Sequence, residues 1–507
     1  MIRIFTIIAA ALFAEAAAAQ DHLGPEEVLA ASARHFPDVL EGLAKRRAAE
    51  SGVEEARGAF DLVFETEGKQ YASGFYNGRE TAARVRQQLA PLGASVYGGY
   101  RVSDGTFPVY EDIRFTNAGG EFKIGAVFSL LRDRDIDERR FRVTDARLAV
   151  EEAELDLLLT QIGVQHKSLG AYWRWVAAGR QLAVYEELFK IAQGRQSGLE
   201  QQVRAGARAR IFLTENLQNI ARRRRLVTEA EREFLAATND LSFYYRDPGG
   251  EPLTPARDQL PPAGLLTAPP PEAAPAGDLA GLIDARPELK ALGVALARAE
   301  RRVALGKNAL LPRLEALAEV SADVGDIAEG GASRDATDAV IGLKFTVPIQ
   351  RREARAKLRR AEAELEALEQ RRRRVEDQLE IDLRNILLDL HASSALVGVA
   401  AQEVDQSETM ERAERERFAS GASDFFLVNI REETAADARI RFYLAALKAR
   451  IAQANYSATA LDLEALGLGE SVTARRSPER ASGDRPAQRE GEERPVRQQP
   501  RAISIRR

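Results

Sequence analysis

The chain spells one pattern twice, and this duplication limits its fold more than any other feature. One copy opens at Ala33 with ARHFPDVLEGLAKRRAAESGVEEARGAFDL, the other at Leu282 with LIDARPELKALGVALARAERRVALGKNALLPRL. Pro37 corresponds to Pro287 and Val53 to Val303, an offset of 250. Later, SLLRDRDIDERR (129–140) corresponds to PIQRREARAK (348–357) at an offset near 219, and glycine breaks at Gly206 and Gly421 correspond at 215. Repetition on this scale makes the repeat the folding unit. The offset falls by about 30 between Phe60 and Leu131, so the first copy carries an insert there.

Each copy opens with a proline near the first turn of a helix and acids beside it, where a missing N–H costs nothing and the helix dipole favours negative charge. Alternation follows. In the second copy Leu314, Ala316, Ala318, Val320 and Ala322 alternate with Glu315, Leu317, Glu319, Ser321 and Asp323; then Ala339, Ile341, Leu343, Phe345 and Val347 alternate with Val340, Gly342, Lys344 and Thr346. In the first copy Phe60, Leu62 and Phe64 begin such a run, and Phe122, Ile124, Ala126, Phe128 and Leu130 end one. Between them lie two more candidate strands, 82–89 and 94–102, joined at Ala90-Pro91-Leu92-Gly93; these are the insert. Tyr97 and Tyr100 are candidates for a membrane interface. Period-two alternation predicts strands with one apolar face, long enough to cross a bilayer when tilted. A soluble antiparallel sheet alternates in the same way, so the pattern alone leaves both open.

After each β segment, 60–70 residues read as helix up to the glycine break. At 1.5 Å per residue that is roughly 100 Å. Val375, Leu379, Leu383, Ile386 and Leu390 mark a coiled-coil-like seam. Gly206 and Gly421, flanked by small residues in RAGARARIFL and ASGASDFFLV, predict left-handed helix ends. Helices then return over about 212–245 and 425–466. The arginine runs 222–225 and 371–374 sit beside acids and read as solvated, ion-paired faces.

The division expected is a signal segment 1–19, a first repeat 20–246 with strands over about 60–130, a linker 247–280, a second repeat 281–470 with strands over about 312–348, and a disordered basic tail 471–507. The signal reading rests on Arg3, the apolar run 4–14 and Ala17-Ala18-Ala19. The linker reading rests on nine of the chain's 20 prolines falling within 247–277, which predicts an extended segment. Net charge is −5, which points away from nucleic acid. There is no cysteine, and the four histidines are scattered singly, so thiolate chemistry and His-rich metal sites are excluded. No nucleophile–base pair or phosphate loop is present, which argues against a secreted enzyme.

In this order — signal, proline-started helix, strands, long helix, glycine turn, returning helix, all twice — the chain resembles the TolC family of outer-membrane export channels. ALLPRLEAL (309–317), GLKFTVPI (342–349) and the two tip turns carry the likeness, which covers about 26–467. The resemblance implies a mainly α fold with a membrane β-barrel part, in which a duplicated helix–β-hairpin–long helical hairpin builds a trimeric α-barrel plus β-barrel. It implies a homotrimer in the bacterial outer membrane, with helices in the periplasm, contacting outer-membrane lipid, a periplasmic adaptor and an inner-membrane pump. No catalytic residue, cofactor or metal is implied. Its function would be passive conduction, as the exit duct of a tripartite efflux or type I secretion system. Small toxic molecules are the first cargo expected and secreted polypeptide the second. Adaptor contact passes to Ala205, Gly206 and Ala207 and to Ser420, Gly421 and Ala422. Some members constrict the tip with acids just after the second turn; Leu427 and Ile430 stand there in this chain. The candidate periplasmic gate is instead Asp424, expected to pair with Arg208 or Arg210. The competing reading is a periplasmic coiled-coil scaffold or adaptor without a channel. The insert leaves either four or six strands per subunit.

Overall fold

Proline sets the first helices. The computed structural model describes residues 22–108, 114–268, 279–327 and 335–469. The expected signal segment and basic tail lie outside these, as does 269–278 of the linker. Pro25 and Pro37 open α1 (Pro25–His35) and α2 (Pro37–Arg57), with Glu26, Glu27 and Asp38 in their first turns. Strands β1 (Val63–Gln70), β2 (Arg79–Gln88), β3 (Ser95–Asp104) and β4 (Glu121–Ser129) follow. The first strand starts later than the alternation predicts, because Gly58–Phe60 winds into a 3-10 turn. Then comes α3 (Glu138–Arg204), 67 residues long. Its cap is Asp137, whose carboxylate accepts from the Arg139 and Arg140 N–H groups at 2.8 and 2.9 Å. The chain returns as α4 (Ile211–Ser242).

The described part of the linker departs from the extended segment expected. It carries the short α5 (Ala263–Thr267), whose Leu266 is buried. Arg450 donates to the carbonyls of Leu265 and Leu266 at 2.6 and 3.2 Å, and Arg257 pairs with Glu186. One buried leucine and three arginines, Arg450, Arg257 and Arg180, the last donating to the Pro261 carbonyl, hold this proline-rich segment against the helices. After α6 (Leu279–Asp284), the second repeat runs α7 (Pro287–Ala309), β5 (Arg313–Asp323), β6 (Asp338–Thr346), α8 (Arg352–Ala419) and α9 (Phe425–Thr459). The last helix ends before the predicted Leu466. Leu461 takes φ +58°, the chain turns, and Leu466 and Leu468 enter the core beside Leu23.

All six strands form one antiparallel sheet in chain order, β1 to β6. The join between repeats is β4 to β5, from Glu121 opposite Asp323 to Ser129 opposite Glu315. A lone two-stranded hairpin is barely stable, and this pairing gives the second repeat's hairpin its neighbour. The helical core centres on α3: Tyr172, Trp175 and Val176 pack with Phe234 and Leu241 of α4 and with Ala446 and Ala454 of α9. The repeats are also tied by charge. Arg298 of α7 grips Asp145 of α3 through two hydrogen bonds of 2.8 and 2.9 Å and also pairs with Glu152. The seam expected on α8 faces inward, with Leu383 and Leu390 buried.

Candidate functional site: channel wall and helix tips

Strand register sorts the side chains onto two faces. Opposite partners share a face, so Phe64, Val85, Gly98, Ile124, Val320 and Ala339 form one row across the sheet. Thr66, Ala83, Tyr100, Phe122 and Ala322 lie beside it on the same face. On β6 the face continues as Ile341, Leu343 and Phe345. These side chains are open to the surroundings: Ile341 is 88% exposed, Ile124 68% and Phe64 66%. An apolar face this broad is unfavourable in water and stable against lipid. Among the described residues no helix is long and apolar enough to cross a membrane.

The other face is charged and internally paired. Arg101 on β3 donates to Glu121 on β4 at 2.7 and 2.9 Å. Lys123 lies 3.0 Å from Glu319 on β5, and the Tyr97 hydroxyl donates to the same carboxylate at 2.5 Å. Tyr97 reaches β5 by lying flat across β4, which is possible because its partner there is Gly125; a Cβ at that position would sit 2.5 Å from the ring. Tyr97 is therefore on the charged face and not at a membrane interface as its sequence position suggested. Tyr100 does sit at the outer end of the apolar face, 4.9 Å from the Phe122 ring, and donates to the Gly119 carbonyl.

At the far end, the two tips have the same construction. Gly206 takes φ +70° and Gly421 φ +77°. In the first turn Gly206 N–H bonds to Val203 O and Ala207 N–H to Gln202 O; in the second, Gly421 N–H bonds to Phe418 O and Ala422 N–H to Arg417 O. Each is a Schellman motif, which the left-handed glycine makes possible. Ala205, Gly206, Ala207, Ser420, Gly421 and Ala422 are all exposed. Beneath them Phe212, Phe418 and Phe425 cluster, with Phe425 fully buried. Arg208 stacks over Phe418 at 4.7 Å and over Phe212 at 5.5 Å, and so bridges the two hairpins. Asp424 caps α9, accepting from the Phe426 N–H at 3.3 Å. Within one chain the structure does not bring Asp424 into an ion pair with Arg208 or Arg210. The cause is local: capping engages the carboxylate, and the phenyl rings engage Arg208. Arg210 is exposed at the start of α4.

Ten or so residues behind the tips lies a constellation that the sequence reading missed. Glu432 of α9 is 1% exposed and accepts from arginines on the other three long helices: Arg195 of α3, Arg223 of α4 at 3.1 Å and Arg415 of α8 at 3.3 Å. Arg223 is 0% exposed and also donates to the Leu188 carbonyl at 2.9 Å. Burial pulls its pKa down, opposed by Glu432. The solvated reading of the 222–225 run is thus corrected for Arg223, although Arg225 does pair with Glu229 at the surface as expected. A signal was available. Asn216, Asn219 and Arg223 continue, at helical spacing, the buried face of Ala230, Phe234 and Leu241. Polar residues in register with an apolar stripe mark a buried network. Close by, burial raises the carboxyl pKa of Glu411, against the pull of Arg415. Among the described residues no cluster of acids and histidines could hold a metal ion.

The chain thus sets an amphipathic antiparallel sheet with an exposed apolar face on long paired helical hairpins. Residues 281–460 match the family described as outer membrane efflux protein. Among solved structures, the chain is similar to CusC, described as forming a transmembrane channel (TM-score 0.62, 14% identity, covering 87% of this chain and 93% of that one). It is similar to the CmeC outer membrane channel of Campylobacter jejuni (0.61, 13%, 89% of each chain) and to the MtrE outer membrane channel of Neisseria gonorrhoeae (0.61, 14%, 88% and 89%). A search of curated proteins finds no match. The second repeat therefore carries the pattern of the outer membrane efflux protein family, and the chain as a whole shares the fold of these outer membrane channels.

Proposed function

We propose that the chain is the exit duct of a tripartite efflux or type I secretion system, a homotrimer that passively carries substrates from an inner-membrane pump and a periplasmic adaptor to the outside. The observation that carries this reading is the apolar sheet face, with its open edges at β1 and β6. In lipid, unpaired strand edges are excluded, so the sheet needs sister copies to close. The helices support the same reading. On α8, Ile381, Leu388, Leu396 and Val399 are exposed, Leu388 to 68%, on the face away from the buried seam; α3 exposes no large apolar side chain. A second copy is the partner whose chemistry suits that stripe. The helical part then extends about 100 Å from the sheet, through the periplasm.

The exposed tips, 205–207 and 420–422, are the adaptor-docking surface, and Arg208, Arg210 and Asp424 the gate. Because Asp424 does not reach either arginine in its own chain, the gate's ion pair forms between copies, Asp424 to the neighbouring Arg210, while Arg208 fixes the tip's shape. The reading is tested by fractionation and reconstitution. A channel is recovered from the outer membrane as a detergent-resistant trimer; recovery as a soluble periplasmic protein would establish the scaffold reading instead. Asp424→Asn keeps the helix cap but removes the charge. It raises single-channel conductance if the gate is as stated, and an unchanged closed channel refutes the gate alone.

A further inference from the structure

Resting on that trimeric reading, we propose that this protein closes an eighteen-stranded barrel in the outer membrane, wide enough that the outer-membrane part sets no small-molecule limit on cargo girth. Duplication alone supplies one hairpin per repeat, β1–β4 and β5–β6. The insert could have folded away from the wall as an external appendage. It does not. β2 pairs with β1 from Val63 opposite Arg86 to Gln70 opposite Arg79, and with β3 along its whole length. β3 pairs with β4 from Ser95 opposite Val127 to Arg101 opposite Glu121.

The insert also obeys the two-faced pattern of the wall it joins. Val85 and Ala83 continue the apolar rows of Phe64 and Ile124, and Arg101 and Tyr97 engage carboxylates on β4 and β5. Removing β2 and β3 from the wall would strand the partners of both. The free edges are therefore β1 and β6, and each chain delivers six strands.

Six strands cannot close alone, since membrane barrels begin at about eight. Three copies bring eighteen. With strands about 4.8 Å apart and tilted about 45°, the backbone diameter is about 39 Å, against about 26 Å for twelve strands. Subtracting a side-chain layer of about 5 Å at each wall leaves a lumen of about 29 Å instead of about 16 Å. Barrels of sixteen to eighteen strands hold open aqueous channels. Charge on the lumen face is paired across strands, as in Arg101–Glu121 and Lys123–Glu319, so the wall presents no strong field of one sign. Selection by size is left to the helical tips, and the barrel admits cargo of polypeptide girth.

The test uses the full-length protein. Native mass spectrometry establishes the oligomer, and cryo-electron microscopy in detergent counts the strands. Polymers of graded size, added to the external side of a bilayer containing the channel, measure the outer lumen independently of the tips. The proposal expects a trimer, eighteen strands and entry of polymers up to about 29 Å across. A trimer with twelve strands and the insert folded outside overturns this proposal but leaves the duct reading intact. A non-trimer overturns both. Deleting residues 71–104 joins β1 to β4 through the remaining loop, as β5 joins β6. It is expected to lower the external size limit nearly twofold; an unchanged limit refutes the wide barrel. If the deletion does not fold, the strand count of the wild type decides.

Discussion

The two helical hairpins share their ends and differ in their faces. Both descend from a proline-opened helix, both run for nearly seventy residues, and both turn on a left-handed glycine with the same pair of backbone hydrogen bonds. Between those points they diverge. The first buries aromatic bulk, Tyr172, Trp175 and Phe234. The second buries alanines on α9 and leaves an apolar stripe exposed on α8. Backbone conformation demands particular residues at few positions, so the copies agree there. Faces answer to whatever they touch, and the two copies touch different things.

The clearest asymmetry is Glu432. At the tip offset of 215 its counterpart is Leu217, which is exposed, and Arg223 corresponds to Ala438. One copy supplies the buried cation and the other the buried anion. Glu432→Ala leaves Arg223 and its neighbours uncompensated in a dry site and is expected to cost about 3–5 kcal/mol, read by chemical denaturation of the purified protein. Leu217→Ala is expected to stay within about 0.5 kcal/mol. Equal effects at the two positions would erase the asymmetry.

The link between repeats comes next. Arg298 holds the Asp145 carboxyl below its ordinary pKa, chiefly by hydrogen bonding against the opposing effect of burial. A carboxylate so lowered stabilises the fold above the normal aspartate range, and that contribution is lost as pH falls through the depressed value. Asp145→Asn is expected to cost about 1.5–3 kcal/mol at neutral pH, in the range of hydrogen bonds to charged groups. The difference from wild type should shrink on acidification. A deficit that persists in acid would show that the contact acts by shape and not by charge.

The smallest effect tests where the copies agree. Gly206→Ala and Gly421→Ala each place a Cβ on a left-handed residue, at roughly 1–2 kcal/mol. Neither has an atom within 4 Å of the added Cβ, so the strain is conformational and should be equal in the two copies. Melting temperatures that fall unequally would mean that one tip is held by more than its backbone.

Much of this architecture was legible in the sequence because short-range rules governed it. The ten-residue alternations became strands, the insert became two of them, and the glycines became turns. Three things were not legible. The linker's docking depends on Arg450, nearly two hundred positions away from the carbonyls it grips. The end of α9 depends on Leu466 and Leu468 finding the core next to Leu23. Arg223 looked like its three neighbours because a run of one residue type conceals which member faces inward; only the spacing from Asn216 to Leu241 separates them. Arg208, Arg210 and Asp424 are marked in the sequence by their nearness to the tip glycines, and the cap on α9 and the rings under Arg208 show how little such nearness says about partnership.

At both tips main-chain hydrogen bonds around a left-handed glycine close the turn, while Ala205, Ala207, Ser420 and Ala422 are small and exposed. Shape and surface chemistry are thereby uncoupled. Residues 205, 207, 420 and 422 can be exchanged with little penalty to the fold, so whatever meets the tips can be re-specified by drift at four solvent-facing sites while the scaffold that presents them stays the same.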